Sequence, residues 1–179
     1  MEIIPFKKIL YNIKKKNVAI MGHMGSGKSS FGKKIAHHFN IEHIDTDKEI
    51  TKFENATINE IFSFKGSAYF RKIESEIVLD ILDKKNIVIS LGGGSILAKE
   101  VRGRIKKQSF SVFLDVKTDM LYQRLKNSKN RPLLKDTNIL TTLKQLDKKR
   151  RKHYLNADII IDNSYSLDRT FLTFNKIFS

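Results

Sequence analysis

A glycine-rich loop at residues 22–29 restricts the possible folds of this chain more than any other part of its sequence. The loop reads Gly-His-Met-Gly-Ser-Gly-Lys-Ser and follows the short apolar run 17–21. It fits the pattern of glycine, any four residues, glycine, lysine, then serine or threonine, in which backbone N–H groups point inward at a phosphate. A helical pattern follows at once, and the positive end of such a helix also attracts phosphate. The sequence therefore predicts a strand, a phosphate-binding loop and a helix in succession.

Two side chains of this loop carry its expected chemistry. Lys28 is expected to reach the β- and γ-phosphates of a nucleotide, and the hydroxyl of Ser29 is expected to bind Mg²⁺. A glycine-rich turn that merely joins a strand to a helix is the alternative, and it leaves the Lys-Ser pair unexplained. His23 is expected to be a loop residue without a catalytic role.

The rest of the chain alternates short apolar runs with longer helical patterns. Apolar residues three or four apart, such as Phe31, Ile35 and Phe39, indicate helices with one buried face. Alternating strands and helices favour a parallel sheet covered by helices on both sides, with ligands at the carboxyl ends of the strands. The predicted strands are residues 17–21, 42–45, 87–91, 110–115 and 158–162.

Composition limits the class of partner and the location of the protein. The 179 residues correspond to one domain, and the net charge of +15 favours anionic partners. Residues 99–152 contribute +12 of this charge. The absence of cysteine excludes disulfides and thiolate metal sites, and no apolar run approaches the ~18 residues of a membrane span. We expect a cytoplasmic monomer that binds neither membranes nor nucleic acid.

Acidic residues follow the second predicted strand, in the sequence Asp45-Thr46-Asp47. Residues two apart on an extended chain point the same way, so both carboxylates are expected to face the phosphate loop. One could hold Mg²⁺ through water while the other meets a substrate hydroxyl. The alternative is that Asp47 caps the following helix.

Arginines and a second glycine turn supply further candidates. Arg71 and Glu74 are three apart on a predicted helix, where the arginine could grip a substrate carboxylate or form a surface ion pair. Three glycines at 92–94 permit a ligand to approach the backbone closely, or form a loose turn. Arg131 lies in a polar, basic segment that is typical of a mobile lid, although a plain surface loop is the alternative. Arg150 lies near the end of a helix, where cations also complement the helix dipole.

In their order along the chain these motifs resemble those of the shikimate kinases, which are small P-loop kinases related to the nucleoside monophosphate kinases. The order is phosphate loop, Asp-Thr-Asp, Phe-Arg-x-x-Glu, Gly-Gly-Gly, Arg-Pro-Leu-Leu, and arginine with tyrosine four residues later. The match covers about residues 17–162. The resemblance implies a three-layer α/β/α fold around a five-stranded parallel sheet of order 2-3-1-4-5. It also implies transfer of the γ-phosphate of ATP to the 3-hydroxyl of shikimate.

The same resemblance implies how the chain is divided. Residues 1–16 are an amino-terminal extension outside the pattern, and residues 17–179 are a single kinase domain. Within that domain, a substrate-binding subdomain is expected at about 46–75 and a lid at about 127–138.

Functional residues are carried over by position in the motifs. The resemblance implies catalytic roles for Lys28, Asp47 and Arg131, and a magnesium site at Ser29 and, through water, Asp45. ATP is expected to contact Gly25, Ser26, Gly27, Lys28, Ser29, Ser30, Arg124 and Arg131. Shikimate is expected to contact Asp47, Arg71, Gly92, Gly93, Gly94 and Arg150. Among these, Arg124 is expected to pack on adenine, whereas Arg71 and Arg150 hold the substrate carboxylate.

One departure from the family pattern affects the last of these residues. Many relatives have a proline between the final arginine and its tyrosine, whereas Lys152 and His153 occupy that interval here. Arg151 could therefore share or replace the role of Arg150.

Two other functions are alternatives to the shikimate kinase prediction. A gluconate or nucleotide kinase leaves the Asp-Thr-Asp and Phe-Arg-x-x-Glu motifs as coincidence, and a basic nucleic-acid-binding protein would require basic runs interleaved with aromatic residues.

Overall fold

The computed structural model describes residues 5–127 and 138–178. Within these residues a five-stranded, all-parallel sheet has the order β2-β3-β1-β4-β5, which confirms the predicted fold class. Each strand lies within one residue of its predicted bounds. The strands are β1 Asn17–Met21, β2 Glu42–Asp45, β3 Ile87–Ser90, β4 Ser109–Asp115 and β5 Ile159–Asp162.

Helices connect these strands and cover both faces of the sheet. A short 3₁₀ turn, Ser95–Leu97, follows β3. The helices are α1 Phe6–Asn12, α2 Lys28–Phe39, α3 Thr46–Glu54, α4 Ile58–Leu82, α5 Lys99–Gln108, α6 Thr118–Leu125, α7 Ile139–Tyr154 and α8 Leu167–Phe178.

The central strand β1 builds the core on both sides of the sheet, because successive side chains of a strand point to opposite faces. Val18 and Ile20 pack with residues of α1, α2 and α8 on one face. Ala19 and Met21 pack with residues of α4, α5 and α7 on the other. Burial on both faces explains why β1 is a nearly continuous apolar run without alternation.

The segment before β1 takes part in this core. Phe6 and Leu10 of α1 are 3% and 1% exposed. The ring of Phe6 lies 5.2 Å from that of Phe39 at the end of α2 and 5.4 Å from that of Phe178 in α8. The boundary expected at residue 17 therefore does not coincide with a break in packing, and the division of the chain there stays a prediction.

Helix α4 changes direction at Gly66, which has φ 79° and ψ 171°. Its first turns pack with α3 around a small apolar cluster that includes Ile50, Ile61 and Phe70. This cluster falls within the expected substrate-binding subdomain. None of the helices within 5–127 and 138–178 is long and apolar enough to cross a membrane.

Candidate active site

The phosphate loop joins β1 to α2 at the carboxyl end of the sheet, as the sequence predicted. Gly27 is the residue before α2 and has φ 89°, a left-handed conformation that a residue with a side chain adopts only with strain. The Lys28 ammonium donates hydrogen bonds of 2.9 Å to the carbonyl oxygens of Gly22 and His23. The loop is therefore held in a curled shape by its own lysine, whose ammonium lies inside the curve.

The expected magnesium residues lie next to each other. The Ser29 hydroxyl donates a hydrogen bond to the Asp45 carboxylate, whose other oxygen accepts a 3.1 Å bond from the backbone N–H of Asp47. Mg²⁺ in kinases is held through one or two carboxylates, substrate phosphates and waters, so this pair of oxygen donors suits it. The structure describes no cluster of three or more acidic or histidine side chains in residues 5–127 and 138–178 that could hold a metal alone.

Helix α3 begins two residues earlier than the capping alternative supposed. Asp45, and not Asp47, is its N-cap, so the alternative role of Asp47 as the cap is wrong. Asp47 lies in the first helical turn, so the expectation that Asp45 and Asp47 lie on one extended stretch of chain is wrong. The Asp47 carboxylate nevertheless reaches the glycine turn after β3.

Each residue of the glycine turn 92–94 lies against a charged group. A Cβ on Gly92 would lie 2.5 Å from Oδ1 of Asp47. A Cβ on Gly93 would lie 3.3 Å from Nη1 of Arg150, and a Cβ on Gly94 would overlap the Arg71 guanidinium. Glycine leaves room for these side chains to approach the backbone closely, so the turn is packed against charged groups and is not loose.

Arg71 and Glu74 form an ion pair that lines a cleft, and its acidic partner is shielded from solvent. The Glu74 side chain is 3% exposed, whereas that of Arg71 is 34% exposed. Ser95 Oγ donates a 3.0 Å hydrogen bond to Glu74. Burial raises the pKa of Glu74, and the contacts with Arg71 and Ser95 offset this effect only in part.

Arg150 faces the same cleft from α7 and is 2% exposed. Among the residues that the structure describes, its Nε atom has no hydrogen-bond partner. Burial lowers the pKa of Arg150, and the neighbouring Arg71 guanidinium adds to this effect. Arg151 points elsewhere and binds the Asp115 carboxylate through two hydrogen bonds of 3.0 and 2.7 Å. Of the two candidate arginines, the fold thus directs Arg150 into the cleft.

The cleft beside the phosphate loop combines charged and apolar walls. Arg71, Arg150 and the two carboxylates of Asp47 and Glu74 provide its charged groups. Its apolar wall consists of Ile58, Phe62 and Phe70. Such a cleft suits a small anionic molecule that has both hydroxyl groups and a flat apolar face.

Arg124 and the lid were also expected to contact the nucleotide. The Arg124 guanidinium donates hydrogen bonds of 3.1 Å to the Gly25 carbonyl and 2.8 Å to the Asn163 carbonyl, beside the phosphate loop. Arg131 and lid residues 128–137 lie outside the described residues, and their roles stay predictions.

Sequence reasoning missed the polar residues that support the phosphate loop. Asn163, which follows β5, donates a 2.6 Å hydrogen bond to the Ser26 carbonyl. His23 is 3% exposed, and its Nε2 atom lies 2.9 Å from Oδ1 of Asp147 in α7. The position of Asn163 at the carboxyl end of a strand was a usable signal, but nothing in local spacing relates His23 to Asp147.

The sheet order, the phosphate loop on the central strand and the charged cleft beside it define a P-loop kinase for a small molecule. A family model described as shikimate kinase matches residues 24–176. The chain belongs to the shikimate kinase family.

Curated relatives match most of this chain. The chain is 42% identical over 142 residues to a shikimate kinase of Aquifex aeolicus, which covers 79% of this chain and 83% of that protein. It is 34% identical over 171 residues to a shikimate kinase of Bartonella quintana, which covers 96% and 81% respectively.

Solved structures show the same relationship. A shikimate kinase from Acinetobacter baumannii, in complex with shikimate, has a TM-score of 0.87 at 29% identity and covers 94% of this chain and 96% of its own. A shikimate kinase structure from Aquifex aeolicus has a TM-score of 0.78 at 37% identity and covers 88% and 93%. A gluconokinase from Sinorhizobium meliloti, at 17% identity and a TM-score of 0.55, shares the fold alone.

Proposed function

We propose that this chain transfers the γ-phosphate of ATP to the 3-hydroxyl of shikimate, giving shikimate 3-phosphate and ADP in aromatic amino-acid biosynthesis. The observation that carries this proposal is the buried Arg150 guanidinium, which faces Arg71 across a cleft beside the phosphate loop. A buried cation without a full set of partners favours an anion at that position. The Arg71 charge is already paired with Glu74, so Arg150 provides the cation that a substrate carboxylate would neutralise.

Asp47 is the residue best placed to act on the substrate hydroxyl. It lies against the glycine turn and lines the same cleft as Arg71 and Arg150. If the arginines hold the carboxylate of shikimate, a hydroxyl on the far side of the ring can approach Asp47. The Asp47 carboxylate would orient that hydroxyl and accept its proton as the new phosphate ester forms.

The phosphate loop would position the other substrate. Its backbone N–H groups and Lys28 would bind the phosphates of ATP, and Lys28 would leave the carbonyls of Gly22 and His23 to do so. Ser29 and, through water, Asp45 would hold Mg²⁺, which when bound neutralises charge on the β- and γ-phosphates. Arg124 would pack on adenine, and Arg131 would bring a further positive charge from the lid.

A direct assay tests this function. The purified protein is mixed with ATP, Mg²⁺ and one acceptor at a time, and ADP release is followed with shikimate, gluconate or a nucleoside monophosphate. We expect turnover with shikimate alone, and phosphorus NMR should place the new ester on the 3-hydroxyl. Faster turnover of gluconate would refute the proposal in favour of a related kinase, since the shared fold permits both.

The cellular setting is part of the same proposal. The chain is proposed to act as a monomer in the cytoplasm and to bind neither membranes nor nucleic acid. Filter binding to RNA and DNA at several salt concentrations tests the last point, because binding through 34 Lys and Arg residues would weaken steeply with salt. Tight, salt-dependent retention would show that the charge of +15 has a second use.

A further inference from the structure

One face of α7 contacts both the phosphate loop and the glycine turn of the proposed active site. Asp147, Arg150 and Tyr154 lie three and four residues apart and therefore share a face. Tyr154 donates a 2.6 Å hydrogen bond to the carbonyl of Gly93 in the glycine turn. Asp147 lies 2.9 Å from His23 in the phosphate loop, and Arg150 is directed into the cleft between these two contacts.

His23 is one point at which the phosphate loop meets α7, and Met24 is another, through the apolar cluster that includes Leu143. Its carbonyl accepts a hydrogen bond from Lys28, while its imidazole contacts Asp147. The imidazole also packs edge-on against the Tyr154 ring, with centroids 5.0 Å apart. A nucleotide that draws Lys28 toward its phosphates would remove the hydrogen bond from Lys28 to the His23 carbonyl. The resulting change at His23 would reach α7 through the contacts of the imidazole with Asp147 and Tyr154.

The contact of Asp147 with His23 is shorter than the ion pair of Asp147 with Arg151. The second, to Nη1 of Arg151, is 3.5 Å long, and Arg151 is already engaged by Asp115. The Arg150 guanidinium interacts with Tyr154 of the same helix, whereas its Nε atom has no partner within the described part of the chain. The position of the guanidinium therefore depends on the position of α7.

We propose that Asp147 is a positioning residue which, through His23, sets Arg150 relative to the phosphate loop and so couples nucleotide binding to shikimate affinity. This inference rests on the proposed function, because it takes shikimate as the ligand of Arg150. It predicts that the two substrate sites communicate through α7.

Titration calorimetry with shikimate tests the coupling, in the presence and in the absence of saturating ADP and Mg²⁺. For the wild type we expect ADP to change the shikimate affinity by about fivefold or more, which is the lower range of measured coupling between sites. Asp147→Ala should weaken shikimate binding and bring the ratio of the two affinities close to one. Asp147→Asn keeps an oxygen that accepts from His23 and should restore the ratio to within about twofold of the wild type.

Two further comparisons separate coupling from general damage. Asp168→Ala also removes an ion pair, with Lys34 on the far side of α2, and should leave both affinities unchanged. If Asp147→Ala does not fold, His23→Gln and His23→Leu test the same contact from the side of the phosphate loop. Glutamine keeps a donor for Asp147 and leucine does not, so only His23→Leu should lose the coupling.

The proposal would be overturned by an Asp147→Ala protein that keeps the wild-type ratio, whatever its absolute affinity. A wild-type ratio of one would overturn it as well. Failure of the proposed function gives a different result, since Arg150→Ala would then bind shikimate as well as the wild type does.

Discussion

Substitution of Arg150 tests recognition of the substrate carboxylate independently of nucleotide binding. Arg150→Ala should weaken shikimate binding by about 1.5 to 3 kcal/mol, the value of a charge-assisted hydrogen bond, since a buried guanidinium is lost from the cleft. Affinity for ADP should change little because Arg150 does not belong to the phosphate loop. Titration calorimetry with each ligand measures both effects.

Neighbours of Arg150 on α7 provide the controls. Lys149→Ala removes an exposed cation from the same turn and should leave shikimate affinity unchanged. Arg151→Ala should also change it little, because the Arg151 guanidinium binds Asp115 outside the cleft. A large loss for Arg151→Ala with none for Arg150→Ala would move the assignment by one residue.

His23 should make the fold sensitive to mild acid. Burial lowers the pKa of His23, and contact with Asp147 offsets this only in part. The unfolded imidazole, with a pKa of about 6.5, then binds a proton more readily than the folded one, so the free energy of unfolding should fall as the pH drops below that value. His23→Gln should reduce this slope by at most about 1.4 kcal/mol per pH unit.

Urea denaturation between pH 7.5 and pH 5 measures the slope for both proteins. Burial also lowers the pKa of His43, but that residue is present in both and cancels in the difference. Identical slopes for the wild type and the variant would mean that His23 takes up its proton equally well in the folded state.

At the scale of the elements, Gly66 makes a kink in α4 that only glycine tolerates. Its φ of 79° with ψ of 171° lies in a region that is closed to residues with a Cβ, although open space surrounds the position. Gly66→Ala should therefore lower the free energy of unfolding by about 1 to 3 kcal/mol through backbone strain alone. Thermal or urea denaturation measures the loss.

Gly103 in α5 is the matched control, because a Cβ there would also meet open space and its backbone is helical. Gly103→Ala should raise the free energy of unfolding by about 0.5 to 1 kcal/mol, since alanine favours the helix. Equal effects at the two positions would show that α4 is not kinked at Gly66 in solution.

The strands were predictable where they carry a local signal. The inner strands β1 and β3 are buried on both faces, so their apolar runs predicted their bounds to within one residue, whereas the edge strands β2 and β5 are partly exposed. The motifs at 22–29, 45–47 and 92–94 could be brought together from sequence, because each comes at the end of a parallel strand and these carboxyl ends share one edge of the sheet. Arg71 and Glu74 lie on α4, and only the family resemblance assigned them to the same site.

Contacts between distant segments could not be predicted in the same way. His23 and Asp147 are 124 residues apart, and their contact exists only because α7 crosses the phosphate loop. The choice between Arg150 and Arg151 likewise depended on the rotation of α7, which the helical period does not fix. The exact start of α3 also escaped prediction, because Asp45 and Asp47 are both good capping residues.

At the scale of the whole molecule, α1 is expected to contribute to stability without affecting activity. Phe6 packs against α2 and α8 at the end of the sheet opposite the phosphate loop. Phe6→Ala should lower the free energy of unfolding by about 3 kcal/mol, because a buried aromatic side chain leaves a cavity. Turnover at a temperature where the protein stays folded should be retained.

Tyr11 on the same helix is 82% exposed, and Tyr11→Ala should change the free energy of unfolding by less than about 0.5 kcal/mol. Denaturation and turnover are measured on both variants. An unaltered stability for Phe6→Ala would mean that α1 is not docked on the sheet in solution.

The packing of Tyr154 gives the protein an optical reporter of its own. The chain contains no tryptophan and five tyrosines, so its near-ultraviolet circular dichroism comes from tyrosine and phenylalanine. Tyr154 is 1% exposed and stacks on Phe113 at 4.9 Å, and fixed packing of this kind produces such a signal. Because the same hydroxyl is bonded to Gly93, movement of the glycine turn can be followed spectroscopically without attaching a label.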